Sequence, residues 1–369
     1  MSKRYKITIL IISILLSLLG GIIGGVLVRS YFVNSPVGIP LFGDINLGRE
    51  YQPGSVIISQ PKKVVVEQDD RLRNVIDEVQ RKIVDLYVKK DTSQAEIKFN
   101  INNYYLPKDR AGEGLILTND GWIVTPVKVG QPGGFIAVDH EGKIIDIEES
   151  FFDKESGYYF IKAGSRNLAA AQFAEDSDIS AGQMLVAIGT EEAQLAHIEN
   201  ASYYNGPLVK SSERFYRFIK IDNSLLEKGD IIFNLNSSVV GLYSEKGLIT
   251  PISQFTNLLP GLLSGKKISR PLLGARYINL SDLIGEEELK GALISRDVNG
   301  IATVKSSPAA EAGLKEGDII LEVDGLKIEK DNTLSKFIQG YQAGQEIELK
   351  VMRGGEEQIN IKVKLGSQS

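Results

Sequence analysis

The stretch that decides the fold of this chain lies at residues 112–128, which read GEGLILTNDGWIVTPVK. Two short apolar runs, residues 114–118 and 122–125, flank Asn119-Asp120-Gly121. An Asp-Gly pair between two such runs predicts a tight hairpin, because glycine adopts the positive φ that the turn requires. Many short strands at close spacing indicate β-barrels or a sandwich. Comparable runs follow at Phe135–Val138, Tyr158–Ala163, Met184–Ile188, Phe218–Ile221, Ile231–Leu235 and Val239–Tyr243.

Composition limits the classes of protein that remain open. The 369 residues are enough for two or three domains, and 43% hydrophobic with 24% charged residues is an ordinary globular balance. A net charge of −5 argues against nucleic acid as a partner. The absence of cysteine excludes disulfides, thiolate nucleophiles and cysteine metal sites. The sequence indicates no metal and no cofactor.

The N-terminus contains an uncharged run at residues 7–28. At about 1.5 Å per residue this run spans roughly 33 Å, which is enough to cross a bilayer. A signal peptide is the alternative, but its apolar region is usually shorter and ends at small residues, and this run contains no alanine. Three cations precede the run and Arg29 follows it, so we expect the N-terminus to be cytoplasmic. The sequence therefore predicts a single-pass anchor in the cytoplasmic membrane with the bulk of the chain extracytoplasmic.

Changes in composition and in hydrophobic pattern along the chain predict that it has four parts. Residues 1–29 form a cytoplasmic stub and transmembrane anchor, and residues 30–68, which contain four prolines, form a linker. Residues 69–265 form a β-rich domain that opens with an amphipathic helix running into a strand, with Asp69 or Asp70 as its cap. Residues 268–367 form a last α+β domain.

The last domain carries the most extended pattern. Residues 270–275 read RPLLGA, and residues 306–325 read SSPAAEAGLKEGDIILEVDG. These stretches resemble a PDZ domain, and the resemblance implies capture of a C-terminal peptide by strand addition beside a backbone loop that binds the terminal carboxylate. The positions that match this loop are Leu272, Leu273, Gly274 and Ala275. Leu334 and Ile338, four residues apart on the matching helix, either line the peptide pocket or fill the core.

The domain before it resembles a chymotrypsin-fold serine protease. Residues 112–128 are similar to the hairpin that precedes the catalytic histidine, and residues 227–242, EKGDIIFNLNSSVVGL, are similar to the nucleophile loop and its following hairpin. Such a pair of barrels in front of a PDZ domain and behind a membrane anchor resembles the HtrA/Deg family of envelope proteases. The similarity covers about residues 70–367 and implies a mostly β fold with a chymotrypsin-like double barrel.

All three catalytic positions implied by this resemblance are substituted. The histidine position holds Lys128, and the serine position holds Lys228. Residues 157–162, GYYFIK, match the strand that the aspartate begins, so Gly157 stands at that position. The resemblance therefore implies a degenerate triad with no catalytic residue.

The residues themselves leave little room for hydrolysis. A nucleophilic serine needs a base within hydrogen-bond reach and a third group that orients the base. The chain has only two histidines, His140 and His197, and neither lies in a motif beside a candidate serine. A serine–lysine dyad is the chemical alternative, with Lys128 as base, but the nucleophile position offers a second lysine.

Three functional hypotheses are consistent with these patterns. The leading one is a membrane-anchored, extracytoplasmic HtrA-like pseudoprotease that binds peptides or protein C-termini through its PDZ domain. It would act as a scaffold, adaptor or chaperone in envelope protein quality control. The alternative is an active HtrA-type serine endopeptidase with shifted catalytic residues. A third is a structural partner, as a homotrimer or in a hetero-assembly with an active homologue.

Overall fold

A computed structural model describes residues 3–28, 37–39, 43–45, 64–90, 104–189, 192–265, 269–285, 290–355 and 357–368. Its backbone divides into two compact units, Met1–Val64 and Val65–Ser369. The first unit contains α1 (Lys3–Val28) and an antiparallel pair of short strands, β1 (Val37–Ile39) and β2 (Gly43–Ile45). Among the described residues, no helix has both the length and the apolarity needed to cross a membrane. The rest of the predicted linker up to residue 63 lies outside the described residues.

The second unit begins one residue into α2 (Val64–Gln80), an amphipathic helix whose Val75 and Val79 are buried. The helix begins five residues before Asp69, so Asp69 and Asp70 lie within it rather than at its cap, and the end of the predicted linker is helical. The reason is visible in the sequence, because no helix breaker separates Pro61 from the predicted start.

The first six strands after α2 close into a barrel in the order β3-β4-β5-β8-β7-β6. The predicted hairpin at residues 112–128 is confirmed as its β4–β5 pair, and Gly121 has a φ of +105°. A Cβ at Gly121 would lie 2.5 Å from the carbonyl oxygen of Ala163, so only glycine fits this turn. The strands are β3 (Ile83–Val88), β4 (Arg110–Ile116), β5 (Trp122–Thr125), β6 (Phe135–Val138), β7 (Ile144–Asp153) and β8 (Tyr158–Ala163).

A second barrel of six strands comes next along the chain. Its strands are ordered β14-β10-β11-β13-β16-β15, and the β14–β15 pairing closes the ring, while β9 adds in parallel beside β15. Two short helices, α3 (Ser253–Thr256) and α4 (Leu259–Leu263), end this region. Of the strands in this region, β9 and β12 lie outside the ring of six. The strands are β9 (Gln172–Phe173), β10 (Met184–Ile188), β11 (Ala193–Tyr204), β12 (Lys210–Ser211), β13 (Arg217–Ile221), β14 (Ile231–Asn234), β15 (Ser238–Glu245) and β16 (Leu248–Pro251).

The C-terminal region folds as the predicted α+β domain. Ser307 and Thr333 cap its two helices, as their side chains accept from the backbone amides of Ala310 and Lys336. Its main sheet has the order β12-β18-β19-β20-β22-β23, so the edge strand β12 comes from the barrel region. The elements are β17 (Arg270–Leu272), β18 (Arg276–Asn279), β19 (Ala292–Ile294), α5 (Pro308–Glu311), β20 (Ile319–Val323), β21 (Leu326–Lys327), α6 (Leu334–Gly340), β22 (Glu346–Arg353), β23 (Glu357–Lys364) and β24 (Gly366–Gln368).

Candidate functional site

The turn before β14 holds the position that the sequence assigns to the lost nucleophile. The amide of Asp230 donates to the carbonyl of Glu227 over 3.0 Å, which closes a tight turn around Lys228 and Gly229. Gly229 has a φ of +103°, and a Cβ there would lie 2.2 Å from Pro126 Cγ. Both the conformation and the space at residue 229 therefore require glycine.

Three segments that are distant in sequence meet at this turn. Pro126, two residues before Lys128, packs on Gly229. The Lys228 ammonium lies 3.8 Å from the place that a Cβ of Gly157 would occupy, and 5.7 Å from the ring centroid of Tyr158. The structure thus brings Gly157 and Lys228 together and sets the end of the Lys128 hairpin beside them. Both lysines are exposed, and their assignment to a lost triad stays a prediction.

The backbone amides of this turn are engaged within the fold. Glu227 N donates to Asp230 Oδ2 at 2.8 Å, and Gly229 N donates to the carbonyl of Tyr243 at 2.8 Å. With the amide of Asp230 also bonded, three of the four amides of residues 227–230 have partners within the protein. An oxyanion hole needs amides that are free to meet the developing negative charge. The bonded amides of residues 227, 229 and 230 cannot contribute to such a hole, which leaves the amide of Lys228 alone among these four.

Two serines share a cavity of about 390 Å³ with Lys228, but neither hydroxyl is placed as a nucleophile. Ser156 Oγ donates to Asp153 Oδ2 at 2.5 Å, and Ser244 Oγ donates to the carbonyl of Leu248 at 3.0 Å. Burial raises the pKa of Asp153, but hydrogen bonds and charge from Arg270 outweigh it and hold that pKa below its ordinary value. Asp153 is therefore a poor base for Ser156.

Two carboxyl groups near the turn have raised pKa values that sequence reasoning did not identify. Burial raises the pKa of Asp230 to about 6, and burial raises the pKa of Glu113 to about 7 despite the nearby charge of Arg110. The two groups also repel each other, which adds to the rise at Glu113. A carboxylate at residue 230 opposes stabilisation of an oxyanion in the same place.

Neither histidine contributes to this site. His140 is exposed, and its Nε2 lies 3.8 Å from Glu141 Oε1. His197 Nδ1 lies 3.0 Å from Asp222 Oδ2 on the surface. Within the described ranges, no serine hydroxyl is bonded to either ring, and no three His, Asp or Glu side chains cluster as metal ligands.

The loop predicted to bind a peptide carboxylate holds a carboxylate from the chain itself. Glu213 Oε1 accepts from the amide of Gly274 at 2.7 Å and from the amide of Leu273 at 3.3 Å. Gly274 has a φ of +84°, and a Cβ there would lie 2.2 Å from Ser307 Cβ. Both the positive φ and the close approach of Ser307 therefore require glycine at residue 274, where the backbone amide binds Glu213.

The segment before Glu213 runs along the edge of the PDZ sheet. In β12, Lys210 pairs with Tyr277 and Ser211 pairs with Arg276 in antiparallel register. Ser212 continues the contact, as its amide donates to the carbonyl of Ala275 and its Oγ accepts from the amide of Ala275, both at 3.0 Å. Three of the four residues predicted for the carboxylate loop, Leu273, Gly274 and Ala275, thus bond to residues 212 and 213, while Leu272 pairs with Gly366 in β24.

The predicted pocket residues lie in the core of the PDZ domain. Leu334 and Ile338 are fully buried and belong to the same apolar cluster as Leu273 and Tyr277. This is the arrangement expected of core residues, which was the alternative that the sequence left open. Their role as a peptide pocket stays a prediction.

Arg270 connects the two candidate regions. Its guanidinium makes a bidentate contact with Asp153, at 2.8 and 2.6 Å, and both side chains are nearly completely buried. It also donates to the carbonyl of Gln254 and lies 4.8 Å from the ring centroid of Phe215. The amide of Phe215 in turn donates to Glu155, close to Gly157 and Lys228. The start of the PDZ domain is therefore fixed to the wall of the cavity beside Lys228.

Sequence reasoning missed Glu213, Asp153 and the bonding role of Arg270. Lys210-Ser211-Ser212-Glu213 is a polar tetrapeptide with no turn signal and no periodicity that distinguishes it from a surface loop. Arg270 bonds Asp153 over 117 positions of the chain, and Glu213 bonds the amides of Leu273 and Gly274 over 60 and 61 positions. A local pattern cannot indicate such pairing.

Comparison with known proteins agrees with this architecture. The PDZ domain family matches residues 271–365. The probable periplasmic serine endoproteases DegP-like of Halomonas elongata and Bartonella henselae are each 29% identical over 69% of this chain, and cover 56% and 53% of their own lengths. The putative serine protease HhoB of Synechocystis is 24% identical over 67% of this chain and 64% of its own length. The chain thus spans little more than half the length of the first two relatives.

Solved structures show the same fold. The HtrA-type protease AlgW with decapeptide is 18% identical with a TM-score of 0.55, covering 80% of this chain and 98% of that one. AlgW with tripeptide is 17% identical with a TM-score of 0.56, covering 80% and 97%. Fold, site and relatives define a trypsin-like double barrel followed by a PDZ domain. Together these findings support the HtrA family, as the sequence predicted.

Proposed function

We propose that this chain is an HtrA-like pseudoprotease that binds peptides or protein C-termini through its PDZ domain. In this role it is a scaffold, adaptor or chaperone in envelope protein quality control. The observation that carries the proposal is the turn at residues 227–230, where a lysine replaces the nucleophile and three of four amides are bonded within the fold. Such a turn supplies no attacking hydroxyl, and three of its four amides cannot contribute to the oxyanion site that acyl transfer needs.

Peptide binding is supported by the PDZ region. The amides of Leu273 and Gly274 already hold a carboxylate, and the edge of β18 already accepts an antiparallel strand. These are the two contacts that strand addition of a C-terminal peptide uses. Structures of the HtrA-type protease AlgW with peptides give the same expectation by fold.

A binding measurement tests this part. The full-length chain is titrated with a fluorescein-labelled library of decapeptides that end in an aliphatic or aromatic residue. Each peptide is made with a free carboxylate and as the C-terminal amide. We expect saturable binding of free-acid peptides and at least tenfold weaker binding of the amides, because the amides lack the charge that the loop accepts. Equal binding of both forms, or none, contradicts the proposed role.

An active HtrA-type endopeptidase with shifted catalytic residues is the second candidate. The relatives named above are described as serine endoproteases, and His197 with Asp222 forms a hydrogen-bonded pair of the kind a triad contains. A fluorophosphonate probe and casein cleavage decide between the candidates, with a known active HtrA protease as positive control. We expect no labelling and no cleavage. Labelling that a Lys128→Ala change abolishes establishes the second candidate instead.

The cellular setting and assembly form the remaining part of the proposal. We place the bulk of the chain outside the cytoplasm, in keeping with relatives described as periplasmic. No described helix qualifies as a membrane span, so the proposed single-pass anchor rests on the uncharged sequence of residues 7–28 alone. We further propose a homotrimer or a hetero-assembly with an active homologue. Partition after carbonate extraction tests the anchor, and sedimentation with and without such a homologue tests the assembly.

A further inference from the structure

We propose that Lys210-Ser211-Ser212-Glu213 is an internal ligand of the PDZ groove, which an external peptide must displace before it binds. This inference rests on the proposed peptide-binding function and concerns the regulation of the same groove. The name "internal ligand" denotes these four residues.

The first observation is the direction of the internal ligand. It adds to β18 as an edge strand, antiparallel, with Lys210 opposite Tyr277 and Ser211 opposite Arg276. From Lys210 to Glu213 the chain therefore runs toward the loop at residues 272–275. A C-terminal peptide that adds to this edge, with its carboxylate in the loop, has to run the same way and make the same main-chain bonds. The internal ligand and the peptide cannot be bound together.

The second observation is the chemistry at its end. The Glu213 carboxylate accepts from two backbone amides of the loop, and its other oxygen lies 3.2 Å from Arg276 Nη1. These charge-assisted bonds supply the side-chain equivalent of a terminal carboxylate, because both present two oxygens and one negative charge. Glu213 is only 5% exposed and Ser212 is fully buried, so the contact is enclosed by the fold.

The third observation is a second anchor at the other end. Lys210 is 2% exposed, and its ammonium forms an ion pair with Asp282, which also bonds Arg217 at 2.8 Å. The Lys210 ammonium also lies 4.2 Å from the ring centroid of Tyr204. A charge is costly to bury without such partners. The internal ligand is thus held at both ends. The Lys210 ammonium holds its start, and the Glu213 carboxylate, three residues later, holds its end.

This arrangement defines the external ligand that fits best. It carries a free terminal carboxylate for the loop and a basic residue three positions upstream for Asp282. Because only the fraction of molecules with an open groove can bind it, the apparent Kd equals the intrinsic Kd divided by that fraction. Weakening the internal ligand must therefore tighten binding of the external one.

The first test weakens the internal ligand by one charge. The probe is a fluorescein-labelled decapeptide ending in -Lys-Ser-Ser-Val with a free carboxylate, titrated against the full-length chain. We expect Glu213→Gln, which keeps the size of the side chain, to bind the probe about tenfold more tightly than the unchanged protein. The control is Glu346→Gln, an exposed glutamate of the same domain, for which we expect no change.

The second test locks the internal ligand in place. Ser211 and Arg276 are Cα partners across an antiparallel pair, a spacing that fits a disulfide, and the chain has no other cysteine to compete. We expect the Ser211→Cys, Arg276→Cys double variant to lose probe binding by more than tenfold when oxidised and to regain it on reduction. This readout does not depend on the fold of the Glu213→Gln variant, since oxidised and reduced forms share one sequence.

The outcomes separate this inference from the proposed function. Binding of the probe that is unchanged by Glu213→Gln and by oxidation overturns the internal ligand and leaves peptide binding intact. No binding by any variant, including the reduced double variant and Glu213→Gln, overturns both together. Tighter binding with Glu213→Gln and loss on oxidation establishes the internal ligand.

Discussion

Two loops of this molecule, at residues 227–230 and 272–275, invite comparison because the family resemblance assigns a bound negative charge to each. Both contain a glycine with positive φ, Gly229 at +103° and Gly274 at +84°, and both pack too tightly for a side chain. In the first loop, three amides are bonded within the fold, one of them to Asp230. In the second, two amides converge on the carboxylate of Glu213, which a strand from the barrel region delivers.

The difference shows that a glycine turn does not by itself make an anion site. The amides must point into a space that a ligand can reach, and no internal acceptor may occupy them permanently. At residues 227–230 the acceptors belong to the turn and its neighbouring strand, so they are part of the fold. At residues 272–275 the acceptor belongs to a separate segment, so we expect that an external carboxylate can replace it.

The largest effect on stability should come from substitution of Arg270, which connects the regions of the two loops. We expect Arg270→Met to lower the free energy of unfolding by about 3 to 5 kcal/mol, because it leaves the buried Asp153 charge without its partner. Urea denaturation of the full-length chain measures this change. The matched control, Arg296→Met, breaks an exposed pair with Glu316 and should cost at most about 1 kcal/mol. An equal loss of unfolding free energy in both variants would show that the ion pair of Arg270 with Asp153 does not stabilise the contact between the start of the PDZ domain and the barrel region.

Substitution of Gly229 and of Gly274 should lower the stability of the protein to a similar extent but should differ in its effect on peptide binding. We expect Gly229→Ala and Gly274→Ala each to cost about 2 to 3 kcal/mol, since each combines backbone strain with a contact of 2.2 Å. Gly344→Ala, with a φ of +86° and nothing within 4 Å, isolates the strain and should cost about 1 kcal/mol. Peptide binding should fail in Gly274→Ala and persist in Gly229→Ala. Loss of binding in both variants would contradict separate roles for the loops.

The carboxyl of Asp230 should leave a pH signature in the first loop. Because burial raises its pKa from 3.8 to about 6, the folded state binds this proton more tightly than the unfolded state. Its contribution to stability is complete below about pH 4 and is lost as pH rises to about 6. At roughly 1.4 kcal/mol per pKa unit, we expect Asp230→Asn to gain about 1 to 3 kcal/mol relative to the unchanged protein over this interval.

Denaturation at pH 4, 5, 6 and 7 measures this gain. Asp222→Asn serves as the control of opposite sign, because hydrogen bonds from His197 lower the pKa of Asp222 and its contribution is lost as pH falls. A parallel pH profile for Asp230→Asn and the unchanged protein would show that burial at residue 230 is not as described.

The smallest effect should come from a serine placed at residue 228, the predicted nucleophile position. We expect Lys228→Ser to show no fluorophosphonate labelling and no casein cleavage, because Lys128 is no histidine and the turn amides stay engaged. An active HtrA protease gives the positive control. Labelling of the single variant would mean that the first loop retains a functional oxyanion site.

Sequence patterns predicted much of the fold. Strands β6, β8 and β10 lie where the sequence placed them, and Gly121 has the positive φ predicted for its hairpin. These features are local, because turn chemistry and side-chain alternation act over a few residues. The predicted start of α2 was wrong by five residues, because no helix-breaking residue after Pro61 marks where the helix begins.

For the candidate sites, the sequence by itself determined that lysine stands at residues 128 and 228, the positions that the family resemblance assigns to the histidine and the serine. It also determined the loop at residues 272–275, whose glycine follows from the backbone conformation that the turn needs. Only the tertiary structure decided what those loops hold. Glu213 lies 61 residues before Gly274, and Asp153 lies 117 residues before Arg270. Such contacts depend on the packing of whole domains, which no short stretch of sequence records.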